Sequence, residues 1–329
     1  MSAFRHLGLE VAPGARGATR LPVADVAGGY SLSVPLHVLN GAHPGPTLMV
    51  VGVVHGEEIF AIDAIRTALA SIDLARLHGT VIAVPVANPP ALAANTRNSP
   101  LDMLDLNRQF PGSEEGWLSQ RIAAAIAPLV DRSDCLLHID GGAIERVIHY
   151  TFVKSDGSGN GVTEHLSRAF GLKLLYRGSH SEGSITSYAA SRGIPAVLAE
   201  IGGSTLYTDP RYLQRASTGV LNVMRALHML DGAIVRPAEQ QVLLTRRTLV
   251  RVPVGGIFHP TVGLEVIDGE VAGGTVLGTV MNPYSLEQVG EIRAPYARSA
   301  LLQMRVLPSA VQPGDYAFII ADLDSAEPA

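Results

Sequence analysis

The feature that most constrains the fold is an uninterrupted apolar run over residues 47–54, which stops abruptly at His55, Gly56, Glu57 and Glu58. A run of this length, rich in β-branched residues, is typical of a fully buried strand in a parallel or mixed sheet. Open α/β sheets bind ligands beyond the carboxyl ends of their strands, which is where His55 and Glu58 lie. Imidazole nitrogens and carboxylate oxygens both bind zinc, so this pair is a candidate metal site. On its own, the pair is a weak signal, because two such residues three apart recur by chance, and the alternative is a strand-end turn with a helix-capping acid.

Strand-like and helix-like segments alternate through the first two thirds of the chain. Apolar runs predict strands at residues 32–39, 47–54, 81–86, 135–138, 147–153 and in a run that ends on Glu200. Helical spacing of apolar residues predicts helices at residues 59–70, 117–130, 162–170 and 212–230. This alternation predicts an α/β fold with a mainly parallel or mixed central sheet and helices on both faces.

The pattern changes near Arg236 and Pro237. Short β-rich runs then alternate with Gly, Pro and Asp turns, at residues 241–244, 262–266, 278–280, 299–306 and 316–320. We therefore expect a main domain over residues 1–235 and a small all-β barrel or sandwich over residues 236–329. A structural or oligomerisation role is the simplest interpretation of the small domain.

Composition narrows the class of protein. Of the 329 residues, 47% are hydrophobic and 17% are charged, which is enough apolar material for a real core. A net charge of −5 argues against a nucleic-acid or anionic-membrane surface. No apolar run reaches the length of a membrane helix, and we see no signal peptide. The single cysteine, Cys135, fits a reducing compartment, so we expect a cytoplasmic protein, and a homo-oligomer stays open.

Three predicted strand ends carry ionisable residues. His55 with Glu58, His138 and Glu200 each follow an apolar run. Two imidazoles and one carboxylate form a catalytic zinc site with a free position for water, and a further carboxylate can act as general base. The plainer alternatives are a buried core histidine at 138 and a buried acid paired with an arginine at 200.

The segment between residues 88 and 112 is longer than an ordinary connection, and loops of this kind are usually functional or disordered. It contains Arg97 and Arg108, two cations suited to a substrate carboxylate or a developing oxyanion. The competing interpretation of Arg108 is an ion pair with Asp102 or Asp105 that braces the loop.

Four motifs together resemble a known family. They are His-Gly-x-Glu at residues 55–58, Asp-Leu-Asn-Arg-x-Phe-Pro-Gly at 105–112, a strand-end His138 followed by Gly-Gly, and Glu-x-Gly-Gly from Glu200. In this order they are similar to the succinylglutamate desuccinylase/aspartoacylase family of zinc carboxypeptidase-like hydrolases. The resemblance covers roughly residues 40–320. Within the family, the sequence looks closest to the bacterial deacylase branch that includes N-acetyl-diaminobutyrate deacetylases.

The resemblance implies one Zn²⁺ per chain, bound by His55, Glu58 and His138. It also implies that Glu200 is the base that deprotonates the zinc-activated water and then protonates the leaving amine. These roles are carried over from the family motifs, residue by residue.

The resemblance further implies that Arg97 polarises the scissile carbonyl and that Asn107 and Arg108 bind the α-carboxylate of the substrate. The implied reaction is hydrolysis of a small, anionic N-acyl amino acid or a related amide. A metallocarboxypeptidase acting on a short peptide and a non-catalytic binding protein are the alternatives.

Two departures from the family pattern weaken the substrate assignment. The family usually has Asp two residues before the third ligand and a small residue after it, whereas this chain has Leu136 and Ile139, with Asp140 following. Ser204 and Thr205 follow the glycines after Glu200, where further glycine is frequent. A carboxylate normally orients a zinc-binding histidine, so Asp140 is the candidate for that task.

Overall fold

The computed structural model describes residues 2–143, 145–154, 161–179, 181–203 and 209–327. Ser204 and Thr205 lie outside the described residues. Six α-helices occur within them: α1 (Phe60–Ala70), α2 (Pro89–Ala94), α3 (Leu118–Val130), α4 (Val162–Phe170), α5 (Ile185–Ser191) and α6 (Pro210–Ala226). In the described part of the chain, no helix is long and apolar enough to cross a membrane.

The strands of the first two thirds of the chain are β1 (Phe4–His6), β2 (Leu9–Val11), β3 (Ala15–Asp25), β4 (Ser31–Asn40), β5 (His43–Val51), β6 (His78–Val84), β7 (Cys135–Asp140), β8 (Arg146–Lys154), β9 (Leu174–Gly178) and β10 (Ala196–Gly202). Those that follow are β11 (Val242–Leu244), β12 (Arg247–Arg251), β13 (Gly256–Pro260), β14 (Val271–Ala272), β15 (Val276–Met281), β16 (Gln288–Arg293), β17 (Arg298–Arg305), β18 (Ser309–Val311), β19 (Tyr316–Asp322) and β20 (Ala326–Glu327).

The central sheet is mixed, as predicted. Its strand order is β12-β19-β17-β8-β10-β7-β5-β6-β4-β3. Strand β5 runs parallel to β6 and β7, and β7 runs parallel to β10, whereas β8 is antiparallel to β10. The carboxyl ends of β5, β7 and β10 therefore meet at one edge, where ligand sites of such sheets form.

Helices cover both faces of this sheet, which confirms the predicted layers. Apolar residues of α1, α4 and α6 join the core on one face, and those of α3 and α5 join the core on the other. Within β7, Cys135 and Leu137 point to the first core and Leu136 to the second. Because side chains alternate along a strand, His138 and Asp140 share the face of Leu136.

The segment after α6 is built from strands, as predicted, and in the described residues it contains no α-helix. Strands β13, β15, β16 and β18 form a separate antiparallel sheet, whereas β12, β17 and β19 extend the central sheet beyond β8. The division at residues 235 and 236 stays a prediction. The strand predicted at residues 262–266 is wrong, since Leu264–Val266 forms a turn of 3-10 helix after Gly263.

Candidate active site

The chain leaves β5 through a tightly held turn that presents His55. Val53 has a backbone φ of +46°, which is rare for a β-branched residue, and strain of this kind often occurs at functional sites. The carbonyl of Val53 accepts a hydrogen bond from the backbone N–H of Asn88, and that of Val54 accepts one from the Asn88 side chain. Gly56 lies directly against Ala91, where an added Cβ would come within 2.0 Å of the Ala91 carbonyl.

Three buried side chains converge beyond the strand ends. His55, Glu58 and Asp140 each offer a ligand atom, and these atoms all lie within 4.8 Å of one another. The Nδ1 atom of His55 is 2.7 Å from Oε1 of Glu58 and 3.4 Å from Oδ1 of Asp140. A histidine and two carboxylates in this geometry could hold a divalent cation.

The electrostatics of this group also fit a cation. Burial and the neighbouring Asp140 raise the pKa of Glu58 well above its usual value. Burial opposes the charged form of His55, but Glu58 and Asp140 still raise its pKa well above the usual value. The Oε2 atom of Glu58 is buried without a hydrogen-bond partner among the described residues. Two buried carboxylates in contact are costly without a positive charge between them, so the residues fit a bound dication.

Asp105 connects His55 to the long loop. One of its oxygens lies 3.1 Å from Nε2 of His55, and the other accepts a hydrogen bond of 2.9 Å from Nη2 of Arg97. The half-exposed Arg97 side chain is therefore held close to the group of His55, Glu58 and Asp140. A carboxylate on the second ring nitrogen is the usual partner of a metal-binding histidine.

His138 is fully buried but is not one of the three converging residues. Neither of its ring nitrogens has a hydrogen-bond partner among the described residues. Burial lowers its pKa to about 4. Its role as a zinc ligand stays a prediction, whereas the structure brings Asp140 to His55 and Glu58.

Glu200 lies beside this group on the next strand. It is in register with Asp140 of β7 on one side and with Tyr150 of β8 on the other. Burial and Asp140 raise the pKa of Glu200 to about 8. Its carboxyl group is thus next to the converging residues but is not part of them.

Asn107 and Arg108 occupy the turn of 3-10 helix at Leu106–Arg108, which Asp105 caps. The side-chain oxygen of Asn107 accepts a hydrogen bond from the backbone N–H of Ile185, which ties the loop to α5. Arg108 is exposed, donates to the Asn107 carbonyl and forms no ion pair within the described part of the chain. The alternative in which Asp102 or Asp105 pairs with Arg108 is therefore not seen.

Sequence reasoning missed two cations near Glu200. Lys154 is buried on β8, donates to Oγ1 of Thr186 and has its pKa lowered by burial to about 8. Arg247 of β12 donates to the hydroxyl of Tyr150.

No local pattern in the sequence singles out Lys154. For Asp140 the sequence does contain a signal, because Asp140 lies two residues after His138 and therefore on the same face of the strand.

The family assignment follows from a match over more than half of the chain. Residues 44–227 match the model of the succinylglutamate desuccinylase/aspartoacylase catalytic domain. The chain belongs to this family. The matched region contains every residue of the site described above except Arg247.

Relatives within the family span nearly the whole chain. An N-alpha-acetyl-L-2,4-diaminobutyric acid deacetylase from Halomonas elongata is 27% identical over 319 residues, which cover 93% of this chain and 91% of the relative. The structure of an aspartoacylase family protein from Mesorhizobium loti has a TM-score of 0.80 at 27% identity, covering 97% of both chains. A product-bound ectoine utilization protein from Ruegeria pomeroyi has a TM-score of 0.81 at 22% identity, covering 93% of this chain and 94% of that one, and shows the shared fold.

Proposed function

We propose that the protein is a zinc-dependent hydrolase of small linear amides that removes the acyl group from an N-acyl amino acid or a related substrate. The observation that carries this proposal is the buried group of His55, Glu58 and Asp140, with Glu200 on the adjacent strand. A dication held there would polarise the scissile carbonyl and lower the pKa of a water molecule. Two ligands are His55 and Glu58, and the third comes from β7, where both His138 and Asp140 point to the same face.

Glu200 is assigned as the general base. It takes a proton from the attacking water and delivers it to the nitrogen of the scissile amide. The amino group of the product therefore leaves as a neutral amine. Glu200 suits this role because it lies next to Asp140 without belonging to the converging group.

Arg97 and the turn at residues 107–108 are assigned to the substrate. Arg97 is held at Asp105 and would donate to the carbonyl oxygen as negative charge develops there. Arg108 would bind the substrate carboxylate, supported by its exposure and its lack of an ion pair in the described residues, with the Asn107 amide N–H₂ beside it. These contacts favour a small anionic substrate.

The activity test uses metal-loaded protein and a panel of N-acyl amino acids and dipeptides. The diaminobutyrate deacetylase relative makes N-alpha-acetyl-L-2,4-diaminobutyric acid the first substrate to try. We expect turnover that a chelator abolishes and Zn²⁺ restores. Turnover that persists in chelator would contradict the proposal, and cleavage of dipeptides alone would favour a carboxypeptidase.

Glu200→Gln tests the assignment of the base. This variant keeps the shape of the side chain, and we expect kcat to fall on the order of 10²–10⁴-fold. Glu57→Gln is the matched control, because Glu57 is also partly buried near the site but is 3.6 Å from Arg146 and lies outside the converging group. Full activity of Glu200→Gln, or an equal loss in both variants, would argue against a base at 200.

A further inference from the structure

The strand register separates the two residues of β7 that could complete the metal site. His138 is level with Val51 on β5 and with Leu198 on β10. Asp140 is level with Glu200, two residues closer to the edge of the sheet from which His55 projects. Each strand residue advances about 3.3 Å, so His138 lies roughly 6–7 Å deeper along the strand than Asp140.

The contacts agree with this difference in depth. Asp140 approaches Nδ1 of His55 to 3.4 Å and belongs to the group whose ligand atoms all lie within 4.8 Å. The same Nδ1 atom faces Glu58, while Nε2 is turned to Asp105. The imidazole of His55 therefore presents one nitrogen to both carboxylates and keeps the other on an orienting acid.

We propose that Asp140, together with His55 and Glu58, holds the metal, and that His138 is a buried neighbour beneath Asp140. This inference rests on the proposed function and names the ligand set of that site. It also accounts for the order of residues in β7. The acid precedes the histidine by two residues in the pattern expected from the family, and here the histidine precedes the acid by two, so that the two residue types have exchanged positions.

A centre with one imidazole and two carboxylates has different chemistry from a centre with two imidazoles and one carboxylate. Its two negative charges balance the charge of a dication completely. Carboxylate oxygens favour Mn²⁺ and similar hard cations, whereas additional imidazole favours Zn²⁺. This site therefore discriminates less strongly between Zn²⁺ and Mn²⁺ than a two-histidine site does.

The test measures Zn²⁺ and Mn²⁺ affinities of the full chain by competition with a chromophoric chelator. Asp140→Asn removes the negative charge of the proposed ligand with little change in shape, and His138→Gln removes the buried imidazole. We expect Asp140→Asn to weaken Zn²⁺ binding more than about 100-fold, beyond the 10–100-fold typical of residues that only orient ligands. His138→Gln should stay within about tenfold of the wild type.

Asp140→His provides a second measurement that does not depend on loss of binding. It converts the ligand set to two imidazoles and one carboxylate, so the ratio of Zn²⁺ to Mn²⁺ affinity should rise by about tenfold or more. Circular dichroism melting of each variant reports whether it is folded.

Three results would overturn the inference. They are loss of metal in His138→Gln with retention in Asp140→Asn, equal loss in both variants, and an unchanged metal preference in folded Asp140→His. In the first two cases the proposed function as a metal-dependent hydrolase would still hold, but the metal would have a different set of ligands. A wild-type protein that binds neither cation would instead refute the proposed function and this inference together.

Discussion

Asp105 shows how one side chain organises two parts of the site. It contacts Nε2 of His55 at 3.1 Å and Nη2 of Arg97 at 2.9 Å. Asp105→Asn preserves the shape of the side chain but removes the charge that orients both partners. We expect metal affinity to fall about 10–100-fold, measured by the same chelator competition.

Asp102 is the matched control for Asp105. It lies in the same loop and accepts hydrogen bonds from the backbone N–H and the hydroxyl of Ser119, at 2.6 and 2.9 Å. Asp102→Asn should lower the melting temperature without changing metal affinity. An equal loss of affinity in both variants would mean that general loosening of the loop, and not the contact to His55, is responsible.

The burial of Lys154 leads us to expect that the stability of the metal-free protein depends on pH. Its pKa is lowered by burial to about 8, from 10.5. Between these pH values the lysine is protonated in the unfolded chain and neutral in the folded chain, so the free energy of unfolding rises with pH. Below pH 8 the lysine is charged in both states, and the buried charge then lowers the free energy of unfolding by its full amount. Lys154→Met should therefore be more stable than the wild type at pH 7, by roughly 1–3 kcal/mol.

Urea unfolding of both proteins from pH 7 to pH 10 checks the Lys154 prediction. The advantage of Lys154→Met should shrink as the pH rises above 8, because the wild-type lysine then becomes neutral in the folded state. A difference between the two proteins that is the same at every pH would show that the buried charge is not its cause.

The sequence predicts where some candidate site residues lie but not how others are placed, for a physical reason. His55, Glu58 and Glu200 follow apolar runs, and the strand-end rule brings such residues to one edge of a sheet. Whether His138 or Asp140 lies closer to His55 and Glu58 depends on how β7 aligns with β5 and β10. This register is a property of paired strands and cannot be read from one segment. Lys154 is recognised only once burial is known, since an isolated lysine in a sequence is normally exposed.

At the scale of elements, most helices and strands of the main part follow from apolar periodicity. Helices α2 and α5 did not, because they are only six and seven residues long and show too few turns for a period to appear. Two prolines begin α2, and they give no apolar helical period, yet proline is well tolerated in the first helical turn, and Asn88 caps this helix. Such short helices depend on capping and tertiary contacts.

The contact between Gly56 and α2 gives a prediction at this scale. An added Cβ at Gly56 would meet the carbonyl of Ala91 at 2.0 Å, and backbone cannot move aside as a flexible side chain can. Gly56→Ala should cost about 1–3 kcal/mol of stability and weaken metal binding, because the strain falls between His55 and Glu58. Thermal melting and chelator competition measure the two effects.

Gly255→Ala is the control for Gly56→Ala. The atoms nearest to its added Cβ lie at 3.4–3.7 Å, which is ordinary van der Waals contact. We expect it to leave metal affinity unchanged and to alter stability by less than about 0.5 kcal/mol. Wild-type behaviour of Gly56→Ala would show that α2 does not fix the position of the turn that carries His55 and Glu58.

At the scale of the whole molecule, the central sheet crosses the boundary that composition suggests. Strand β17 pairs with β8, and β12 and β19 continue the sheet from there. The change in composition near residue 236 marks the end of the helices, whereas strand pairing between distant segments leaves no local signal. The all-β character of the last segment was therefore predictable, but its union with the central sheet was not.

This continuity predicts the fate of a chain that ends at residue 235. Removing the later strands would leave β8 without β17 and β9 without β11, exposing sheet edges that are paired in the full chain. Unpaired edges invite association with other chains, so we expect the truncated protein to aggregate or to melt well below the full-length protein. Size-exclusion chromatography and circular dichroism melting of both proteins provide the measurement. A monomeric truncated chain that unfolds cooperatively near the full-length melting temperature would instead support residues 1–235 as an independently folding domain.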